Sequence, residues 1–337
     1  MKKIVIILSS LLVIAMGIFI GYSLTIGNTL PIVEPQRINI PSGTEYTALL
    51  DTLEAHHCFS SRSSFSAVAT ARGLSDHVKS GSYLLTPGMT TLQVVNKLYS
   101  GNQDAVRITI NKYRKIDQLC QYLGEHLELS PDTLLTLLGD SSFCSQYGET
   151  PQTVIGLFPR NTYQVYWNVT PAGLLKRMQR ESDTYWQSRG SQLAALGMSR
   201  QQVITLASIV EEETNANEEK ADIASVYLNR LRIGMPLQAD PTVKYALDDF
   251  TIRRILNSML SHPSPYNTYL HAGLPPGPIC IPSSSSIDAV LQNKKTPYIY
   301  FCAKEDFSGR HNFSATLSEH LRNAERFHKA LNNKNIK

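Results

Sequence analysis

The sequence offers no metal or redox signature. Its five cysteines, Cys58, Cys120, Cys144, Cys280 and Cys302, form no CxxC pair, and their number is odd. Neither a zinc site nor a redox motif is supported. Cys120 and Cys144 could pair outside the cytoplasm, with buried free thiols as the alternative. The nine histidines show no metal-ligand spacing. His56 and His57 are adjacent, and adjacent side chains do not easily face one ion. No metal and no cofactor is expected. No lysine or arginine block stands out, and the formal net charge is only +4. A nucleic-acid partner is therefore unsupported, while weak attraction to anionic membrane or wall polymers is compatible with the charge. Charged residues are 18% against 42% hydrophobic ones. That balance excludes a disordered chain and suits a globular protein long enough for two domains.

A long apolar run occurs at the N-terminus. Lys2 and Lys3 precede Ile4 to Ile26, which carries no charge. The run is long enough to span a bilayer as a helix, and the lysines favour a cytoplasmic N-terminus with the rest outside. A cleaved signal peptide is the rival, but Tyr22-Ser23-Leu24-Thr25-Ile26 offers a poor cleavage site. Residues 1–27 are thus expected to be an anchor, and 28–37, with Pro31 and Pro35, a linker.

From 38 to 150 the pattern repeats weakly. Ile38–Ile40, Tyr83–Leu85 and Val106–Ile110 read as strands. Each is followed by a helix, near Glu45–His57, Thr90–Tyr99 and Lys115–His126, with Pro41-Ser42-Gly43 and Pro87-Gly88 as turns. Such small units suggest a compact α+β binding module. Ser130–Thr153 reads as helical and then loop-like.

The remainder, 151–337, is organised around Ala207–Thr214, ASIVEEET. Ser199 and Gln202 form a capping box for a helix. Val203, Leu206, Ala207, Ile209 and Val210 recur at helical spacing and mark one apolar face. Of the three glutamates that follow, Glu212 points away from that face, Glu211 sits at its edge, and Glu213 falls closest to it. A carboxyl over an apolar stripe loses hydration, so its pKa rises and it can serve as a general acid. Solvated surface glutamates, opposing the helix dipole, are the plain alternative.

Other elements flank this helix. Thr170-Pro171 opens a helix to about Ser188. Asn217 caps another, with Ile223, Val226, Tyr227 and Leu231 on one face. Tyr298–Ala303 and His311–Phe313 read as strands, Ser286–Leu291 as a short helix, and Thr316-x-x-Glu319 as the cap of the last helix. His311 could reach the site, but a structural hydrogen bond is the favoured role. Between them, Pro236 and Pro241 argue against a long regular element. Pro263, Pro265, Pro275, Pro276, Pro278 and Pro282 make Ser261–Pro282 an extended surface segment. Its Tyr266, Asn267 and Tyr269 suit sugars, whose C–H faces pack on aromatic rings and whose hydroxyls need amide partners.

ASIVEEET, Tyr227–Tyr245, Ser264–Tyr269 (SPYNTY), Gly273–Ile279 (GLPPGPI), Tyr298–Phe301 and His311-x-Phe313 occur in that order and spacing. Together they resemble the MltG/YceG-like endolytic murein transglycosylases over roughly residues 35–328. The resemblance implies an α+β chain: an N-terminal transmembrane helix, a small LysM-like module and a mixed α+β YceG-like catalytic domain. Two departures stand out. The family's Phe-x-Pro-(Asp or Asn)-Thr-Tyr is here Phe158-Pro159-Arg160-Asn161-Thr162-Tyr163. Asn111-Lys112-Tyr113 replaces the Pro-Glu-Gly that often opens the third repeat. Carried over, the family's catalytic acid is Glu213, the residue that the helical-face reading also selects.

The resemblance further implies a bacterial cytoplasmic-membrane enzyme that cuts nascent peptidoglycan strands outside the membrane, beside peptidoglycan synthases. It leaves a 1,6-anhydro end. Gln238, Asp240, Thr242, Tyr266 and Asn267 are the candidates for holding the glycan, with a turn cap before Pro241 as the alternative for Asp240. Arg230 and Arg232 pair with Glu211 or Glu219, or end their helix. The competing functions are a hydrolase using water, with Asp240 as base, and a non-catalytic wall-binding scaffold.

Overall fold

The computed structural model describes residues 10–17, 31–252 and 254–333. Residues 10–17 are helical. The rest of the expected anchor, 1–9 and 18–27, lies outside the described residues. No single helix among the described residues is long and apolar enough to cross a membrane. Among the described residues the fold is mixed α+β, about half helical, and the strands pair into three two-stranded sheets. The chain divides into two compact units.

The first unit holds the residues up to 108 together with 125–129 and 164–170. Strand Gln36–Ile40 turns Ile38 and Ile40 inward, as alternation dictates. It pairs antiparallel with Gly81–Leu85, Ile38 opposite Tyr83. Helices Tyr46–Ala55 and Arg62–Ala71 lie between the two strands in sequence, and Thr91–Ser100 follows, opened by the Thr90/Gln93 capping box. The helix Arg62–Ala71 is absent from the sequence-based expectation. Its RSSFSAVATA run has few large apolar residues, yet Ser61 caps it by accepting from the Ser64 N–H, and Phe65, Val68 and Ala69 are buried. They share a core with Ile38, Leu49, Leu53, Tyr83 and Leu98. Each large side chain so buried contributes roughly 1.5–3 kcal/mol. The third expected strand, Val106–Thr109, joins neither of the first two. It pairs with Thr162–Val165 in a sheet of its own.

The second unit holds 109–124, 130–163 and everything from 171 on. Its centre is the helix Arg200–Glu213, opened by the expected Ser199/Gln202 capping box. Helices Lys220–Arg232 and Ser284–Leu291 pack on it and on each other. Val203, Leu206, Ala207, Ile209 and Val210 are buried as expected, but so are Ile204, Thr205, Ser208 and Glu211. The apolar face predicted from spacing is thus a helix buried on all sides. It tolerates polar residues because they are satisfied: Thr205 Oγ1 donates to Gln201 O at 2.8 Å, and Ser208 Oγ donates to Thr205 O and accepts from Ile279 N.

The proline-rich segment is irregular, as expected, but it does not stay on the surface. Asn267, Thr268 and the run 277–282 are buried. Ile279 N–H donates to Ser208 and Ile281 N–H to Tyr113 O at 2.8 Å, so interior partners replace water. At Gly277 a Cβ would lie 2.0 Å from the carbonyl oxygen of Gln152, which only glycine avoids. Strands Tyr300–Ala303 and His311–Ser314 form a hairpin with Phe301 opposite Phe313, and the closing helix Leu317–Asn333 packs on it. Asn217 opens a short 3₁₀ turn rather than capping Lys220–Arg232, whose N-cap is Glu219. All five cysteines are free, including Cys120 and Cys144.

Candidate active site

Three consecutive carboxyls end the central helix, and each meets a different environment. Glu211, 9% exposed, accepts from Arg160 at 2.6 Å and from Lys220 at 3.0 Å. Its Oε2 also accepts from the hydroxyls of Ser283 and Ser286, both at 2.5 Å. Burial alone would raise its pKa, but the two hydroxyls and Lys220 outweigh it and hold the group at about 2. Glu212 is not solvated, although it points away from the face that spacing selects. Its side chain is 12% exposed and gripped by Arg114 through two 2.9 Å bonds, with Lys112 at 3.1 Å. Burial again works against ionisation, and the two cations overcome it and lower the pKa.

Glu213 has no such partner. Half-buried, it forms no ion pair among the described residues and accepts one hydrogen bond on Oε1, from the Tyr227 hydroxyl at 2.5 Å. Burial raises its pKa, and the Tyr227 bond opposes that. The Asp240 charge adds to the rise, and Lys244 and Arg230 only partly offset it. The result is about 7. The C-terminal end of the helix carries partial negative charge, which acts in the same direction. The helix stops at Thr214, whose extended backbone and Oγ1 bond to Ala216 N end the ladder and leave Glu213 in the last turn. A carboxyl that is half protonated near neutrality can both give and take a proton there.

The surroundings are aromatic and hydrogen-bonded. Tyr227, on the helix Lys220–Arg232, is buried, and that burial and the neighbouring Glu213 raise its pKa, so it stays a donor. Asp240 opens the helix Asp240–Leu247, which tolerates Pro241 in its first turn. The N-cap of that helix is Ala239, and Asp240 Oδ1 accepts from the Tyr269 hydroxyl at 2.6 Å. Two carboxyl–tyrosine pairs, Glu213–Tyr227 and Asp240–Tyr269, thus stand within electrostatic reach of one another.

Of the other candidates, Gln238 is exposed and has φ +50°, a left-handed conformation uncommon outside glycine; its N–H is tied to Thr268 O. Thr242 is fully buried, bonded to Ala239 O at 2.6 Å and to the Thr268 hydroxyl. Asn267 is equally buried, its amide donating to Leu260 O and His262 O and accepting from Tyr269 N–H. These two side chains are spent inside the protein, where they shape the loop that carries Tyr269. Tyr266 is half-buried, its ring 4.7 Å from that of Tyr245.

Of the two readings of Arg230 and Arg232, pairing with Glu211 or Glu219 does not occur, and both residues lie in the last turn of their helix. Arg230 is buried and donates to the carbonyls of Ile299 and Leu237, each at 2.7 Å, and Arg232 donates to Asn229. Glu219 instead holds His311, through Nδ1 at 3.1 Å and the backbone N–H at 3.0 Å, the structural role favoured for that histidine. Sequence reading placed Tyr227 only on an apolar helix face, and it put Tyr269 on the sugar-suited segment without counting it among the glycan-holding candidates; the structure pairs both with carboxyls of the site. Sequence reading also missed Arg160, the residue that departs from the family's loop pattern, as the partner of Glu211.

Comparison with known proteins gives a consistent result. A profile of the YceG-like family matches residues 38–326. A Bacillus subtilis protein named endolytic murein transglycosylase is 32% identical over 313 residues, covering 88% of this chain and 86% of that one. A Streptococcus pneumoniae protein of the same name is 26% identical over 96% of this chain, which spans 64% of the pneumococcal protein's length. A crystal structure of a YceG-like protein from Listeria monocytogenes superposes with a TM-score of 0.56 at 30% identity, covering 86% of this chain and 99% of the other.

Proposed function

The chain belongs to the YceG-like family and is an enzyme of the lytic transglycosylase class; from that premise we propose that Glu213 is both the acid and the base of a single intramolecular displacement on peptidoglycan glycan strands. In its protonated form Glu213 gives its proton to the oxygen linking MurNAc C1 to GlcNAc. As that C1–O bond breaks, the carboxylate takes the proton of the MurNAc C6 hydroxyl. O6 then bonds to C1, closing a 1,6-anhydro ring. The proton returns to Glu213, and no water is consumed. The single observation that carries this reading is the contrast among Glu211, Glu212 and Glu213: the first two are neutralised by cations, and the third, backed by Tyr227, is left able to hold a proton.

Gln238, Asp240 and Tyr266 are the residues proposed to touch the glycan, with Thr242 and Asn267 holding the loops behind them. The first unit, with two helices between paired strands, serves as a LysM-like binding module. The N-terminal apolar segment anchors the enzyme at the cytoplasmic membrane with the catalytic unit outside. Cutting nascent strands there, beside peptidoglycan synthases, ends their elongation.

Asp240 supports a second reading, because its charge reaches Glu213 and two carboxylates suffice for hydrolysis. One experiment separates the two. The full chain in detergent is incubated with purified glycan strands and the new ends are weighed by mass spectrometry. Anhydro ends that disappear in Glu213→Gln support the proposal. Reducing ends identify a hydrolase. Cleavage unaffected by Glu213→Gln refutes both.

A further inference from the structure

The cations that reach the first two glutamates of the central helix are all paired. Arg160 and Lys220 hold Glu211, and Arg114 and Lys112 hold Glu212. Arg230 is different. It is 7% exposed, and its hydrogen-bond partners among the described residues are three carbonyl oxygens. Nε donates to Ile299 O at 2.7 Å, and Nη1 donates to Leu237 O at 2.7 Å and to Pro236 O at 3.4 Å. The Tyr300 ring lies 5.5 Å from its guanidinium carbon. A buried cation held by neutral groups alone is costly, and its charge stays unneutralised in the interior.

The three carbonyls belong to two segments that carry or support site residues. Leu237 directly precedes Gln238, with its φ of +50°, and Asp240 follows two residues later. Ile299 precedes the strand Tyr300–Ala303, whose Phe301 packs edge-on against Tyr227 with ring centres 5.8 Å apart. Arg230 itself stands three residues after Tyr227 on the helix Lys220–Arg232, where side chains at that spacing are neighbours. The titratable groups facing Arg230 are Tyr227 and Glu213, Tyr269 of the proline-rich segment, Tyr300 of the hairpin and His320 of the closing helix. Those facing Glu213 are Tyr227, Asp240, Lys244 and Arg230.

We propose that Arg230 is a positioning residue for the reaction: it clamps the loop 236–239 and the hairpin to the helix of Tyr227, and it holds an unneutralised charge behind the Glu213–Tyr227 pair. The proposal rests on the reading of Glu213 given above. When Glu213 gives up its proton, a preorganised cation that never touches the strand favours the carboxylate without any solvent reorganisation. The same charge favours proton release from Tyr227, which makes its hydroxyl a better donor to that carboxylate.

Two variants separate the charge from the clamp. Arg230→Lys keeps the charge and loses the planar fork that reaches two segments at once. Arg230→Gln loses both. The full chain in detergent is assayed on uncrosslinked peptide-bearing glycan strands by release of anhydro ends across pH, with a thermal melt alongside. Both variants should raise KM about tenfold, as loss of charge-assisted bonds does. The alkaline limb of kcat/KM should stay in place in Arg230→Lys and move up by about one pH unit in Arg230→Gln, because removing a cation makes the Glu213 proton harder to lose. An arginine that serves the fold alone would lower the melting temperature and the active fraction while leaving KM and the limb unmoved. That result overturns the proposal, as does an equal limb shift in both variants. If Arg230→Gln does not fold, Arg230→Lys decides, and a KM equal to that of the wild type overturns the clamp. A wild type that releases no anhydro ends refutes the reaction itself, before either variant is compared.

Discussion

Glu211 and Glu213 lie two residues apart on one helix, yet the region around the first is built for charge and the region around the second against it. Around Glu211, Lys220, Arg160 and two serine hydroxyls converge on a buried carboxylate. Around Glu213, one tyrosine hydroxyl and a nearby aspartate leave the carboxyl close to half-protonated at neutral pH. Burial penalises both. The difference shows that partners, not depth, decide whether a buried carboxyl is structural or chemical.

The contrast can be broken at either end. Glu213→Gln should have the largest effect, a loss of roughly 10²–10⁴-fold in kcat with retained folding, as removal of a general acid–base group does; turnover on purified strands and a thermal melt check it. Glu211→Gln should do the reverse. It leaves Lys220 and Arg160 without their carboxylate, and removing one partner of a buried pair costs about 3–5 kcal/mol, which a denaturant titration would register.

The pH dependence sharpens the same comparison. The Glu211 pKa is depressed to about 2 from 4.5, so its stabilisation is present above about 4.5 and is lost as pH falls toward 2. The Glu213 pKa is raised to about 7 from 4.5. The folded state therefore holds the extra proton between those values, and stability declines as pH rises from about 4.5 to 7. Glu213→Gln should remove that decline and be more stable than the wild type at pH 8 by on the order of 1–3 kcal/mol, read from urea midpoints at pH 5 and pH 8. The smallest effect belongs to Tyr227→Phe. Losing a donor that favours the carboxylate should move the alkaline limb of kcat/KM to higher pH, at a cost of about tenfold or less in rate. An unmoved limb would mean that Tyr227 serves packing alone.

Much of this site was legible in the sequence because its key element is local. A capping box at Ser199, apolar residues at helical spacing and a run of glutamates define the helix and select Glu213 without tertiary information. The partners that sort the three carboxyls were not legible, because they come from far along the chain. Arg114 lies 98 residues from Glu212, Arg160 lies 51 from Glu211, and Ser286 lies 75 from Glu211. Periodicity assigns faces, and it cannot say that a second layer, the run 277–282, closes over the polar side of the same helix. For the same reason Ser208 looks like a surface residue in the pattern and is a buried donor and acceptor in the fold. In the first unit the helix Arg62–Ala71 escaped notice because short, serine-rich helices owe their stability to packing, here through Phe65 and Val68, rather than to pattern.

The most direct measurement is the ionisation of Glu213 itself. Infrared difference titration of the carboxyl band, taken as wild type minus Glu213→Gln, isolates that one group. The account requires a protonated band that persists to near neutral pH and titrates with a midpoint at about 7. A midpoint near the ordinary glutamate value of 4.5 would contradict it, since the residue would then hold no proton to give at the pH where the strand is cut.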